Sequence, residues 1–276
     1  MTGRITQLHP TALTIAGSDS GAGAGIQADL KTFSAFGVYG LTAISLITAQ
    51  NTSAVEAVHL LPPELLRQQL DALFTDFAIG AVKTGALGSS HLIEEAVAAL
   101  KRYSAHNIVV DPVMVSKHGH LLLAADAVAT LKYALMPLAD VVTPNIPEAA
   151  ALSGLPEDGS RAWMRDAAQA VLALGCKAVV LKGGHRTADS VDLLLTADGE
   201  HWFEGEHLSG AHTHGTGCTY SAALTAGLLC GLPLLDACAA AKRYIAGAIA
   251  RAQVFGKGIN PVNHFWQTQR LFGVVE

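Results

Sequence analysis

Short apolar runs alternate with amphipathic stretches from residue 12 to about residue 203, and few folds accept that rhythm. Residues 12–17 read as a strand, followed by a loop over residues 18–24. Ile26, Leu30, Phe33 and either Phe36 or Gly37 then recur at helical spacing. Residues 41–47 predict a second strand that ends in a polar turn at 48–52, and residues 55–61 a short third one. Pro62 and Pro63 open a helix through about Phe74. The alternation continues with strands at 79–82, 108–110, 141–142 and 178–181. Helices are predicted at 89–103 with Ser89 as cap, at 126–135, from 147 to 152 and at 161–174. Residues 191–195 and 201–203 suit an antiparallel pair around Asp198 and Gly199. The expected fold class is α/β, with a mainly parallel central sheet and helices on both faces. Ser18, Asp19, Asp111, Asn145 and Lys182 all follow strand carboxyl ends, the edge at which open α/β sheets bind ligands.

The 276 residues show no linker or internal repeat, so a single domain over residues 1–276 is expected. Half of them are apolar and 15% are charged, which supports a large core and argues against disorder. A net charge of −5, with no Lys/Arg cluster, argues against a nucleic-acid partner. The four cysteines, 176, 218, 230 and 238, form no C-x-x-C pair, so neither a zinc ribbon nor a redox dithiol is indicated. Free thiols, and no apolar signal core in residues 1–10, suit a cytoplasmic protein. The uncharged stretch from Gly217 to Leu235 approaches the length of a membrane span, but Gly231 and Pro233 break it. Two buried helices meeting at a turn are expected there, with no membrane association.

No G-x-x-x-x-G-K-[ST] occurs, and Gly21, Gly23 and Gly25 are too closely spaced for a dinucleotide fingerprint. Residues 212–221 instead run a glycine-rich loop straight into an apolar helix. Gly215 and Gly217 let backbone N–H groups crowd toward one point, and the helix N-terminus adds positive potential. Such a nest, through Gly215, Thr216, Gly217 and Cys218, holds the anionic oxygens of a transferring phosphoryl group. A plain helix cap through Thr216 would use the same residues. The helix field should lower the Cys218 thiol pKa, and nucleophile, proton acceptor and buried small residue all stay open for it. His118 with His120, and His212 with His214, form His-x-His pairs, but no third and fourth zinc ligand follows at a persuasive distance. Glu148, near Asn145, either holds Mg2+ through water or simply sits well in the first turn of a helix. Lys182 before Gly183 and Gly184 suits a phosphate contact or a solvated turn. Asp29 lies one turn into the first helix. Gln50 carries the donor and acceptor that match an aminopyrimidine edge.

Taken in order, several segments resemble one family nearly residue for residue. They are residues 16–32 (AGSDSGAGAGIQADLKT), 48–52 (TAQNT), 82–85 (VKTG), 111–117 (DPVMVSK), 143–149 (TPNIPEA), 182–185 (KGGH) and 214–219 (HGTGCT). The chain resembles the hydroxymethylpyrimidine/phosphomethylpyrimidine kinases of the ribokinase superfamily over about residues 12–264. The resemblance implies a ribokinase-like fold, ATP as phosphoryl donor, Mg2+ and a homodimer. It also implies phosphorylation of 4-amino-5-hydroxymethyl-2-methylpyrimidine and then of its monophosphate, on the way to thiamine. Gly17, Ala24, Asp29, Gln50 and Val113 match residues that hold the pyrimidine. The stretch from Gly215 to Cys218 matches an anion hole, with Cys218 as the proposed base. Asn145, Lys182, Gly184 and Lys242 match positions around ATP, and Asp111 and Glu148 match positions around the metal. Two departures stand out: Ala86 where the family often has Met, and Gly258-Ile259-Asn260-Pro261 where it has Gly-His-Gly-Pro. A pyridoxal kinase and a catalytically inactive vitamin-binding protein are the rival readings.

Overall fold

The computed structural model describes residues 9–184, 191–205 and 212–267. His185, the last residue of the 182–185 motif, lies outside them. The chain runs β1 (Thr11–Asp19), α1 (Gly25–Ala35), β2 (Tyr39–Gln50), β3 (Val55–Leu60), α2 (Pro63–Asp76), β4 (Ala81–Thr84), α3 (Ser90–Arg102) and β5 (Ile108–Val110). It continues with α4 (Ala127–Thr130), β6 (Val141–Val142), α5 (Ile146–Ser153), α6 (Arg161–Leu172), β7 (Ala178–Lys182), β8 (Asp192–Thr196), β9 (Gly199–Phe203), α7 (Thr216–Leu229) and α8 (Leu234–Ala250).

The strands form one nine-stranded sheet in the order β3-β2-β1-β4-β5-β6-β7-β8-β9. The six strands from β2 to β7 are parallel, while β3 at one edge and β8 and β9 at the other are antiparallel. Successive strand residues point to opposite faces. Leu13, Ile15, Val110, Val142 and Val179 therefore join the core under α2, α3, α5 and α6. Their neighbours Val109, Val141, Ala178 and Val180 join the core under α7 and α8. Both faces are dry, which is why the central strands read as continuous apolar runs rather than alternating ones. The uncharged stretch resolves into α7 and α8, and no helix among the described residues is long and apolar enough to cross a membrane.

Two local expectations need correction. Gln50 is not in a turn: β2 runs on through it, because Thr48, Ala49 and Gln50 find ladder partners in Val58, Ala57 and Val55 of β3. The helix expected at 126–135 is only four residues of α4, followed by a wider π turn (Leu131–Leu135) and a 3-10 turn (Met136–Leu138). Pro137 lies in that last turn and has no N–H with which to continue a helical ladder.

Strand order reverses about β1, whose neighbours β2 and β4 extend the sheet in opposite directions. A crevice opens at such a switch point, at the carboxyl ends of the strands.

Candidate active site

The crevice is a cleft of about 1260 Å³. Of the predicted positions, it is lined by Gly17, Ala24, Gln50, Asp111, Val113, Asn145, Glu148, Lys182, Gly184, Gly215, Thr216, Gly217, Cys218 and Lys242.

The phosphate-loop residues are fixed by close backbone packing. Gly215 precedes α7 with φ +78°, and a Cβ there would lie against the Gly23 carbonyl oxygen, so only glycine fits. Gly25 has φ +57°, and a Cβ there would likewise run into the Gly17 carbonyl oxygen. Two glycine-rich loops, one from β1 and one from α7, are thus pressed together. Thr216 bonds back to the Thr213 carbonyl through both its amide (3.3 Å) and its hydroxyl (2.8 Å). Thr219 N–H donates to Gly215 at 2.9 Å. The amides of Gly217 and Cys218 have no backbone acceptor among the described residues. They open onto the cleft with the helix dipole behind them. Both features of Thr216 and of the nest therefore coexist: the hydroxyl ties the turn, and the amides after it stay free for an anion.

Opposite Gly217 stand a cation and two acids. Lys182 Nζ, at the end of β7, is 3.0 Å from Asp111 Oδ1, at the end of β5, and Thr143 Oγ1 donates to the same oxygen at 3.2 Å. Burial opposes ionisation of Asp111, but Lys182 and then Lys83 outweigh it and hold the carboxyl below its usual range. Asn145 and Glu148 form a reciprocal capping box on α5, with Asn145 Oδ1 accepting from Glu148 N at 2.9 Å and Glu148 Oε2 accepting from Asn145 N at 2.8 Å. Burial pushes the Glu148 carboxyl up to about 7, with Lys182 opposing and Asp111 reinforcing the shift.

Asp29 and Cys218 behave differently from expectation, while Lys242 reaches the cleft as expected but already paired. Asp29 does not line the cleft. Its carboxylate is fully buried, 2.9 and 3.0 Å from Lys83 Nζ and 2.7 Å from Thr14 Oγ1. It sits behind the wall, and Lys83 lies between it and the cleft, held charged by the pairing. The Cys218 thiol is raised rather than lowered: burial pushes it up to about 11, although Lys83 pulls the other way. Desolvation beats the helix field even though Cys218 is only half-buried and lines the cleft. Lys242 reaches the cleft while bonded to Asp192 Oδ2 at 2.8 Å, and Asp192 Oδ1 also accepts the Gly183 amide at 3.0 Å.

Residue reading missed the group that holds the two loops together. Asp19 accepts from the amides of Gly21 (2.8 Å), Gly23 (3.0 Å) and Ala24 (2.9 Å), and its Oδ2 is 2.8 Å from His214 Nε2. Burial works against its charge, yet His214 and these amides keep its pKa below the usual value. The signal was an acid at a strand end followed by three closely spaced glycines. His214 thus serves the loop, and no three metal-ligating side chains converge among the described residues. Of the two departures, Ala86 lines the cleft and accepts Ser45 Oγ through its carbonyl at 2.6 Å. Asn260 caps the Phe255 and Gly256 amides at 2.7 Å each, and its carbonyl accepts His214 N at 3.1 Å.

A ribokinase-like sheet whose carboxyl edge carries a backbone nest, a lysine and paired acids defines a small-molecule phosphotransferase. The phosphomethylpyrimidine kinase family model matches residues 19–263. The hydroxymethylpyrimidine/phosphomethylpyrimidine kinase of Streptomyces coelicolor is 46% identical, over 93% of this chain and 95% of that one. The thiamine biosynthesis bifunctional protein of Geobacter sulfurreducens is 49% identical over 91% of this chain, which spans about half (51%) of that protein. Among solved structures, a Clostridium difficile phosphomethylpyrimidine kinase superposes with TM-score 0.77 at 42% identity, covering 88% of this chain and all of that one. The ADP complex of a Bacillus subtilis pyridoxal kinase gives 0.87 at 37% identity, covering 95% and 100%. The chain belongs to the phosphomethylpyrimidine kinase family.

Proposed function

We propose that this kinase transfers the γ-phosphoryl group of ATP to 4-amino-5-hydroxymethyl-2-methylpyrimidine, and then a second to the resulting monophosphate, in thiamine biosynthesis. The observation that carries it is the free Gly217 and Cys218 amides facing Lys182 and Asp111 across the cleft: a Cβ on Gly217 would be 3.3 Å from Lys182 Nζ and 3.9 Å from Asp111 Oδ2. In this reading Gly17, Ala24, Gln50 and Val113 would hold the ring and Asn145, Gly184 and Lys242 the nucleotide, a division supported by all seven lining the one cleft.

In the first step the substrate hydroxyl oxygen bonds to the γ-phosphorus, the bond to the bridging oxygen breaks, and ADP leaves. Such transfers have loose transition states with little bonding to the incoming oxygen, so the hydroxyl proton departs late. A thiol raised to about 11 is protonated at pH 7 and does not take the hydroxyl proton, which the loose transition state lets pass late to an oxygen of the transferred phosphoryl group and on to solvent. Lys182 and the two amides stabilise the charge on the moving group's oxygens. In the second step the nucleophile is a phosphate oxygen, already anionic.

The donor set fits Mg2+. Asp111 and Glu148 are two nearly buried carboxylates, 2% and 7% exposed, whose mutual repulsion a cation would relieve. Glu148 Oε1 is left free by the capping box. Both would hold the ion through water, and the ion would supply charge neutralisation at the phosphates.

The same reading has one kinase domain acting as a cytoplasmic homodimer. Exposed Tyr39, Ile47 and Leu60 on β2 and β3 support an interface there. Native mass spectrometry should show twice the chain mass. Mass spectrometry of small-molecule products from the hydroxymethylpyrimidine and Mg-ATP tests the activity: two added phosphoryl groups are expected, and none would refute it. The small Ala86 side chain, which lines the cleft, leaves room for pyridoxal as a second substrate, and a side-by-side assay with the hydroxymethylpyrimidine tests this.

A further inference from the structure

His214 Nε2 stands 2.8 Å from Asp19 Oδ2 and 3.1 Å from the amide atom placed as Gln50 Nε2. Asp19 already accepts from three backbone amides. An ionised carboxylate only accepts, so the hydrogen between it and the imidazole sits on Nε2. A ring nitrogen that carries hydrogen cannot accept as well, so Gln50 cannot donate to it. The amide atom facing His214 is therefore the Gln50 oxygen, which shares the Nε2 hydrogen with Asp19. Amide oxygen and nitrogen are told apart by their partners, and the other end of this amide agrees. Thr48 Oγ1 lies 3.1 Å from the Ser18 carbonyl and 3.3 Å from the second Gln50 amide atom. Its single hydrogen goes to Ser18, so it accepts from Gln50, which puts the NH2 group there. One turn of the amide gives every donor along Asp19, His214, Gln50, Thr48 and Ser18 an acceptor. His214 Nδ1 is buried with no partner among the described residues, as suits a bare ring nitrogen rather than a second buried N–H.

We propose that His214 is a positioning residue that sets the polarity of the Gln50 amide and thereby fixes which way round the pyrimidine is held. The inference rests on the kinase reading above. With its oxygen on the His214 side, Gln50 offers an acceptor near Gly215 and a donor near Thr48. An exocyclic amine beside a ring nitrogen docks with the amine on the oxygen and the nitrogen on the NH2 group. In the 4-amino-5-hydroxymethyl ring, the hydroxymethyl group is next to the amine, on the side away from that ring nitrogen. It is therefore directed to the His214 side, which leads straight into Gly215–Cys218. A reversed amide would turn the ring over and carry the reacting hydroxyl away from the phosphoryl nest.

The test compares kcat/KM for the amino substrate and for its 4-oxo analogue, whose edge has donor and acceptor exchanged. The unaltered kinase should prefer the amine. His214→Leu should lower that preference at least about tenfold, one misdirected hydrogen-bonded pair, while any loosening of the loop tied to Asp19 slows both compounds alike and cancels in the ratio. His214→Gln, whose NH2 group can donate to both Asp19 and Gln50, should restore most of it. Thr48→Val, which removes the acceptor at the other end, should lower it too and serves if His214→Leu does not fold. An unchanged amine-to-oxo ratio in both His214→Leu and Thr48→Val overturns the proposal. An unaltered kinase that phosphorylates neither compound overturns the kinase reading and this inference with it.

Discussion

Cys218 shows how a residue's setting can reverse what its sequence neighbours suggest. Its place in the first turn of α7 predicts a lowered thiol, but burial raises it to about 11. Alkylation of Cys218 by iodoacetamide, followed at the peptide level, should therefore be slow at pH 7 and quicken about tenfold per pH unit toward 11, since the thiolate reacts. Fast labelling at pH 7 would contradict this. Glu148 behaves as an acid raised from 4.5 to about 7. A raised carboxyl binds its proton more tightly in the folded protein, so its contribution is complete below about 4.5 and is lost as pH rises through 7. Glu148→Gln keeps the neutral form, so in metal-free protein it should stabilise by about 1–3 kcal/mol at pH 8.5 and by little at pH 5. Tm measured at the two pH values checks this, and equal shifts would refute it. Motif spacing brought Asp111, Asn145, Glu148 and Lys182 to notice. It could not place Asp29 behind the wall, because its partners Thr14 and Lys83 come from separate strands.

Elements explain why two glycines of similar φ differ in importance. Gly37 (φ +72°) has no atom within 4 Å of a would-be Cβ, whereas Gly215 (φ +78°) has the Gly23 carbonyl against it. Gly37→Ala should cost about 1 kcal/mol and leave kcat intact. Gly215→Ala should force the two loops apart, misdirect the free amides and lower kcat at least about 100-fold. Steady-state kinetics and thermal melts of both variants decide it, and equal activity would contradict the account. Strand and helix order was legible because each element carries its own periodicity, and Ser89 announced α3 as its cap. The extension of β2 to Gln50 was not legible. Those polar residues become strand only because β3 folds back on them. Asp19 was visible at a strand end, but its grip on three amides and on His214, 195 residues away, exists only once α7 packs beside β1.

For the whole molecule, the nine-stranded order gathers the side chains of the candidate site on one edge. β1, β5 and β7 deliver Asp19, Asp111 and Lys182, and α7 brings its free amides to the same point. Apolar runs in sequence predicted the parallel sheet, and its reversal about β1 follows from how crossovers cover both faces. The central claim is that backbone amides at the start of α7 grip the phosphoryl group in transit. It is tested most directly by a crystal structure with the hydroxymethylpyrimidine, Mg2+ and a non-hydrolysable ATP analogue. The terminal phosphate should lie within hydrogen-bonding distance of the Gly217 and Cys218 amides and of Lys182 Nζ, with the substrate hydroxyl facing it. A terminal phosphate bound elsewhere in the cleft, with those amides bonded to water or protein, would contradict the account.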